Sequence, residues 1–486
     1  MEDIREKEFD YLGEKLHEEC GVFGIYDTSE TSHVALDTYH ALFALQHRGQ
    51  ESCGIAVNDD GVIDCYKDTG LLRDVFRKDL LDSLDHGQIA IGHCKYGTSQ
   101  GVGRQNAQPL VIRHIKGHMA IAHNGNLVNS GELRKELELK GAIFQSNSDA
   151  EVMAHEIIRE RLTSNSIEES IEKAMYKFKG AYSMVLMSPT KLIAVRDPVG
   201  FRPLCMGKMP EGQIVFASES CGLDAIGATF VRDIRAGEIV VVNKDGVRSI
   251  TTHCPEKSTM CVFEFVYFAR PDSVIEGASV HNARLRAGAF LALSHPAQAD
   301  VVIGCPDSGL DAALGFARQS GIPYGIGFIK NRYIARTFIE PTQRLRENAV
   351  KLKLSVVEST VKGKRVVLVD DSIVRGTTSA RIVKMLKDAG AVEVHVRISS
   401  PPFIAPCFFG TDIDAKDKLI ACRMSLDDIC KQIGADSLGF LPIENVHQIA
   451  ENAKCKFCDG CFSEKYPISV DYEPYENKFD KKINIK

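Results

Sequence analysis

The sequence contains no apolar run approaching the ~18 residues that a bilayer-spanning helix needs. Its first nineteen residues, Met1 to Glu19, are rich in Glu and Lys and lack the apolar stretch of a secretory signal. There is no long basic block and no RNA-binding signature, and a net charge of −6 at pH 7 argues against a general nucleic-acid binder. Internal repeats and long low-complexity linkers are absent as well. These absences set aside membrane, secreted, nucleic-acid-binding and repeat-array classes, and the expectation is a cytoplasmic chain with no membrane and no nucleic-acid partner. What remains is 486 residues, 44% hydrophobic and 26% charged, enough for two or three domains with ordinary cores. Cysteine is plentiful at fifteen. In a reducing compartment such thiols are expected to be catalytic, metal-bound or buried rather than disulfide-bonded.

Two rhythms run along the chain. From Cys20 to about Val247, short apolar runs bounded by turn residues read as strands: Ile89 to Gly92, Met119 to Ala122 and Tyr182 to Met187. Asp149 to Arg161 has helical character, with Val152, Ile157 and Ile158 on one face. This half reads as a layered α+β domain. Beyond it, Val301-Val302-Ile303 runs into Gly304-Cys305-Pro306-Asp307-Ser308-Gly309, with a helix expected over Asp311 to Gln319. Val366-Val367-Leu368-Val369 runs into Asp370-Asp371, and in the next helix Ile382, Val383, Met385, Leu386 and Ala389 share a face ending at Gly390. Val392, Val394, Val396 and Ile398 then alternate as a strand. Such units build parallel sheets, whose ligand sites lie beyond the carboxyl ends of the strands. The tail from Glu473 to Lys486 is polar and expected to be loosely ordered.

Cys20 opens the first apolar strand, Cys20-Gly21-Val22-Phe23-Gly24-Ile25, and alone would read as a buried cysteine. Three further segments follow in order: Gln46-His47-Arg48-Gly49-Gln50-Glu51, Gly92-His93-Cys94-Lys95-Tyr96-Gly97-Thr98 and His123-Asn124-Gly125-Asn126-Leu127. With Arg196-Asp197-Pro198-Val199-Gly200-Phe201-Arg202-Pro203-Leu204, the set resembles the N-terminal-nucleophile glutamine amidotransferases. The resemblance implies removal of a propeptide, residues 1–19, so that Cys20 gains a free α-amine. That amine, with pKa about 7.7–8.0, can act as base for a thiol whose own pKa is near 8.5. It also implies an oxyanion hole from Asn124 and the backbone N–H of Gly125. Asp149 would hold the α-ammonium of glutamine and Lys95 its α-carboxylate. The family has arginine where Lys95 stands, so a point charge replaces a bidentate fork, which bears on affinity more than on chemistry. The plain alternatives are a turn at Asn124-Gly125 and a helix cap at Asp149.

Val366 to Ser379 places two carboxylates, Asp370 and Asp371, at a strand end, before Ser372, Arg375 and the turn Gly376-Thr377-Thr378-Ser379. Adjacent carboxylates suit a ribose diol or a metal-bound sugar, and the turn can offer N–H groups and hydroxyls to phosphate at a helix N-terminus. The stretch resembles the phosphoribosylpyrophosphate signature of phosphoribosyltransferases, with a helix cap at Asp371 or Ser372 as the plain alternative. The basic stretch Lys330-Asn331-Arg332-Tyr333-Ile334-Ala335-Arg336-Thr337 is expected to close over pyrophosphate, with a solvated loop as its plain alternative. By resemblance Ser308, Asp370 and Asp371 would help hold Mg²⁺, a cation of oxygen ligands.

Cys455-Lys456-Phe457-Cys458-Asp459-Gly460-Cys461 spaces three thiols at three-residue intervals, which suits a soft metal, zinc or iron–sulfur alike. Together, nucleophile segments, the joint from Phe263 to His281 and the phosphoribosyl motif resemble the glutamine phosphoribosylpyrophosphate amidotransferases from Cys20 to about Ser463. One branch of that family carries a structural [4Fe–4S] cluster, and its ligand positions match Cys261, Cys407, Cys458 and Cys461, leaving Cys455 and Cys254 spare. The resemblance implies phosphoribosylamine, glutamate and pyrophosphate as products, the first committed step of purine synthesis, with purine nucleotides as inhibitors and a homotetramer as the assembly. The expected fold is an αββα nucleophile-hydrolase sandwich over 20–252, a Rossmann-like phosphoribosyltransferase domain over 253–445, and a cluster-binding segment with a polar tail over 446–486. A glutaminase serving another acceptor, as in glucosamine-6-phosphate or asparagine synthesis, leaves Val366 to Ser379 unexplained. A non-enzymatic nucleotide sensor, suggested by Lys95, leaves the set of Cys20, Asn124-Gly125 and Asp149 unexplained.

Overall fold

A computed structural model describes residues 20–27, 33–96, 103–331, 354–411, 413 and 415–470. The 1–19 segment, the basic positions Arg332, Tyr333 and Arg336, Gly97-Thr98 and the tail Glu473 to Lys486 lie outside the described residues.

The first half is two antiparallel sheets packed face to face. One runs, in spatial order, Thr229–Asp233, Cys205–Lys208, Ile214–Ala217, Gly21–Tyr26, Ile89–Lys95, Ser52–Asp59 and Val62–Thr69. The other runs Gly246–Ile250, Ile239–Asn243, Lys191–Arg196, Gly180–Ser188, Gly117–Leu127 and Leu110–His114. Central strands such as Gly21–Tyr26 and Gly180–Ser188 are buried on both faces, which is why they read as continuous apolar runs. One set of side chains, including Val22, Ile91, Ala120, Ala122, Val185 and Leu192, fills the space between the sheets. The opposite faces are covered by helices: Val34–Ala44 on the first sheet, and Asp149–Arg161 with Ile167–Met175 on the second. The αββα sandwich expected from sequence is the observed architecture.

The second half is a four-stranded parallel sheet in the order Val301–Gly304, Arg365–Asp370, Glu393–Ile398 and Ser437–Phe440. Helices Val280–Ser294 and Gly309–Ser320 pack on one face, and Thr377–Asp388 with Leu426–Ile433 on the other. Ile382, Val383 and Leu386 are buried against the sheet. Val392 departs from the alternation, being 61% exposed just before the strand begins at Glu393. The last described residues return to the joint, where Lys456–Cys458 pairs in parallel with Thr259–Cys261 and sets Cys458 beside Cys261. Among the described residues no helix is long and apolar enough to cross a membrane.

Candidate active sites

Cys20 lies at the head of Gly21–Tyr26, half-buried, with its backbone carbonyl accepting from Arg48 Nε at 3.0 Å. Cys94, which pairs with the next residue Gly21, is fully buried, and burial pushes that thiol well above its ordinary range, so Cys94 is a packing residue. Asn124 and Gly125 sit inside the strand Gly117–Leu127, opposite Ser183 and Tyr182, and not in a turn. The Asn124 side chain is 1% exposed, and its Nδ2 has no hydrogen-bond partner among the described residues. An unsatisfied buried donor costs roughly 1–3 kcal/mol, so an amide kept in that state is a candidate to meet a bound oxygen. Gly125 has φ of 140°, and a Cβ there would fall 2.0 Å from the carbonyl oxygen of Ala181, which only glycine avoids.

Asp149 is not the helix cap. Ser148 is, its hydroxyl accepting from Ala150 N at 3.3 Å. The freed Asp149 carboxylate accepts from Leu127 N at 3.0 Å and lies 3.3 Å from His123 Nε2. Burial alone would raise its pKa, but His123 and the Leu127 N–H outweigh it and hold the carboxyl below its usual range. Lys95, also buried, donates to Asn106 O at 3.1 Å, while Asn106 Oδ1 accepts from Asn147 N at 3.1 Å, two residues before Asp149. The proposed contacts for the two ends of glutamine are thus tied through Asn106. His93 on the same strand as Lys95 is fully buried, and desolvation pushes its pKa down to about 3, so it is neutral at any working pH.

In the parallel sheet, Asp370 and Asp371 stand buried at the carboxyl end of Arg365–Asp370. Ser308, from the loop after Val301–Gly304, donates to Asp371 Oδ2, and Ser372 donates to Asp371 Oδ1. Two strand ends therefore bring together the three oxygen groups, Ser308, Asp370 and Asp371, singled out for a hard cation. Lys330 is paired with Asp307 beside them. Gly376, with φ of 88°, is the N-cap of Thr377–Asp388, so neither Asp371 nor Ser372 caps it. Thr377, Thr378 and Ser379 form its first turn, next to Arg375. A Cβ at Gly376 would lie 2.7 Å from Ile420 Cδ1.

A third constellation lies between the halves. Cys261, Cys407, Cys458 and Cys461 line one cavity walled by Phe201, Arg202, Phe263, Phe409, Ile413 and Tyr466. Among the described residues no group of three or more His, Cys, Asp or Glu side chains is placed to hold a metal ion. The four thiols do share one apolar cavity, and Phe409 N donates to Cys407 Sγ at 3.4 Å. Burial pushes the Cys458 thiol up to about 12 and Cys461 well above its ordinary value. Cys455 lies outside this lining, near Glu276, its thiol raised to about 12 by burial.

The halves meet close to the first site. Asn126 Nδ2 donates to Phe408 O at 2.8 Å, and Gly410 lies directly over Gly125. Sequence reasoning gave no role to several residues of this interface. Arg48 was visible only as part of a motif segment, and Glu219 and Glu264 only as ordinary acidic residues; their burial depends on contacts between segments 171 and 216 positions apart.

A glutamine amidotransferase domain model matches residues 100–225, and a phosphoribosyl transferase domain model matches residues 280–399. The amidophosphoribosyltransferase of Methanocaldococcus jannaschii is 49% identical over 470 residues, covering 93% of this chain and 98% of that one. That of Bacillus subtilis is 46% identical over 460 residues, covering 94% and 95%. The solved B. subtilis glutamine phosphoribosylpyrophosphate amidotransferase, complexed with ADP and GMP, superposes with a TM-score of 0.85 over 93% of this chain and 98% of that one. A second structure, described as the allosteric regulatory enzyme of purine biosynthesis, is 45% identical with a TM-score of 0.87 over 96% of this chain and 100% of that one. With both domains in order and near-half identity along almost the whole length, the chain belongs to the amidophosphoribosyltransferase family.

Proposed function

We propose that the chain hydrolyses glutamine at Cys20 and uses the released ammonia to displace pyrophosphate from phosphoribosylpyrophosphate at the Asp370–Ser379 turn, giving 5-phosphoribosylamine. The observation that carries this reading is the buried, unpartnered amide nitrogen of Asn124 in one sheet of a sandwich whose other sheet has Cys20 at the head of its strand Gly21–Tyr26, with the phosphoribosyltransferase half reaching Asn126 through Phe408. The Cys20 thiol attacks the glutamine amide carbon, and its α-amine, freed by loss of residues 1–19, takes the thiol proton and returns it to the departing ammonia; water then cleaves the resulting thioester to glutamate and the free thiol. Asn124 Nδ2 and the Gly125 N–H receive the oxyanion. Asp149 and Lys95 hold the α-ammonium and α-carboxylate. In the second half, Asp370 and Asp371 orient the ribose, and Arg375 to Ser379 cradle its 5-phosphate at a helix N-terminus. Lys330, Arg332, Tyr333 and Arg336 serve the pyrophosphate. Ser308, Asp370 and Asp371 would hold Mg²⁺, whose contribution is to neutralise phosphate charge.

The domain limits proposed are 20–252, 253–445 and 446–486, after a removed 1–19. The four cavity thiols would hold a [4Fe–4S] cluster, which supplies no step of a reaction that moves no electrons and acts as a fastener between joint and C-terminal segment. Purine nucleotides are proposed as inhibitors, supported by the ADP and GMP in the B. subtilis structure. A homotetramer is the proposed assembly, and the cytoplasm the proposed location.

Maturation tests the first half of this reading. Mass analysis of active enzyme should give a chain beginning at Cys20; a stable, fully active form retaining Met1 contradicts it. The fastener has its own test. Cys461→Ser should lose iron and sulfide together and lower the melting temperature by about 5 °C or more, since each kcal/mol shifts a domain of this size by roughly 2–4 °C. Colourless, iron-free enzyme of unchanged stability contradicts the cluster.

A further inference from the structure

Two arginines and two glutamates whose side chains are each 0% exposed, Arg48, Arg202, Glu219 and Glu264, lie together between the halves. Arg48 Nη1 donates to Glu219 Oε1 at 2.5 Å and to Glu264 Oε2 at 3.0 Å, and Nη2 donates to Glu264 Oε1 at 2.8 Å. Arg202 Nη1 lies 3.5 Å from Glu264 Oε1. Glu219 is further held by His47 Nε2 at 2.8 Å, Arg270 N at 2.9 Å and Ser273 Oγ at 2.7 Å. Burial opposes its charge, but His47 and Arg48 outweigh that and hold it well below the carboxylate range.

A guanidinium is planar, so its two Nη partners dictate where Nε–H points. Here Nε points at the carbonyl oxygen of Cys20, 3.0 Å away. That carbonyl shares its Cα with both the nucleophilic thiol and the α-amine assigned as base. The chelating carboxylate, Glu264, is not part of the sandwich. It opens a single π-helical turn, Glu264–Phe268, in the joint. The carbonyls of Phe265, Tyr267 and Ala269 in and after that turn are gripped by Arg284 at 2.9, 2.8 and 2.7 Å. Arg284 stands on the first helix of the phosphoribosyltransferase half, Val280–Ser294. Isolated π turns cluster at functional sites. A buried ion pair is also weak support for stability, because desolvation offsets its attraction.

We infer that Glu264 is a positioning residue for glutamine hydrolysis: acting through Arg48, it fixes the backbone of Cys20 from the phosphoribosyltransferase side of the joint. The inference rests on the proposed role of Cys20. It makes the geometry of the nucleophile a property of both halves, with the π turn as the piece that Arg284 holds on the phosphoribosyltransferase side.

The test is Glu264→Gln in the full-length mature enzyme, assayed with glutamine and with ammonia as nitrogen donor. Glutamine keeps the shape but removes the charge, and Glu219 still anchors Arg48. The expected result is a drop of about 10-fold or more in glutamine-supported kcat, with KM for glutamine within about 3-fold and ammonia-supported synthesis within about 2-fold. Arg48→Lys, which keeps the charge and loses the fork, should shift the glutamine-to-ammonia ratio in the same direction. Equal losses with both donors, or a loss confined to KM, overturn the inference and leave the pair as a structural contact only. The wild-type enzyme run alongside separates the two levels: absence of glutamate release there overturns the reading of Cys20 itself.

Discussion

Replacing Cys20 with alanine is expected to remove glutamine-supported synthesis by about 1,000-fold or more while leaving ammonia-supported synthesis close to wild type. The neighbouring sandwich thiols Cys94 and Cys53 are buried, and burial pushes Cys53 up to about 12 and Cys94 well above its ordinary value. A thiol that burial keeps protonated is a poor nucleophile. In the other half, Asp370, Asp371, Ser308 and the Gly376 turn belong to a separate sheet with its own core, and the Cys20 side chain contributes nothing to that packing. Ammonia supplied from solution should therefore reach the ribose carbon without the first site. The check is pyrophosphate release with each donor in turn. Loss with both donors would place Cys20 in the structural support of the second site.

The complementary substitution, Asp371→Asn, should fail with both donors. Asp371 is buried at a strand end and accepts hydroxyl hydrogens from Ser308 and Ser372. Asparagine would present one donor and one acceptor where two acceptors are needed, and would remove the negative charge next to a divalent cation. A loss of about 100-fold or more in pyrophosphate release, the same for glutamine and ammonia, is the expected outcome. Glutamate release without phosphoribosylpyrophosphate should be unchanged, because the sandwich does not include this residue. An Asp371→Asn enzyme that keeps ammonia-supported synthesis would contradict the assignment of the second site.

Much of this arrangement was legible in the sequence because local rules carry it. The strand at Val366 to Val369 is apolar and β-branched, the two carboxylates follow it directly, and Gly376 marks the positive φ that starts the next helix. The Asn124-Gly125 pair was legible as a motif but ambiguous as structure, since the same dipeptide favours turns; pairing with Gly180–Ser188 on a two-sided core overrode that preference. Ser148, one residue from Asp149, took the cap, which freed the carboxylate for its other contacts. Val392 misled because alternation alone does not reveal where the ladder ends. The residues that sequence could not place are those joined by long-range contact. Arg48, Glu219 and Glu264 become a unit only when segments more than 40 residues apart fold together, and no local periodicity encodes that. The four cysteines are an intermediate case: Cys458 and Cys461 announce a soft-metal site, whereas Cys261 and Cys407 join them through the parallel pairing of Thr259–Cys261 with Lys456–Cys458 and the loop at Cys407.

The proposed reaction has two sites in one chain hand ammonia from glutamine to a phosphoribosyl group, and it is tested most directly by glutamate and pyrophosphate release from anaerobically purified enzyme, with and without phosphoribosylpyrophosphate in the presence of Mg²⁺. Such a transfer requires slow glutamate release alone, a sharp rise on adding phosphoribosylpyrophosphate, and one pyrophosphate formed per glutamate. Glutamate release indifferent to phosphoribosylpyrophosphate, or pyrophosphate formation that needs no nitrogen donor, would contradict it.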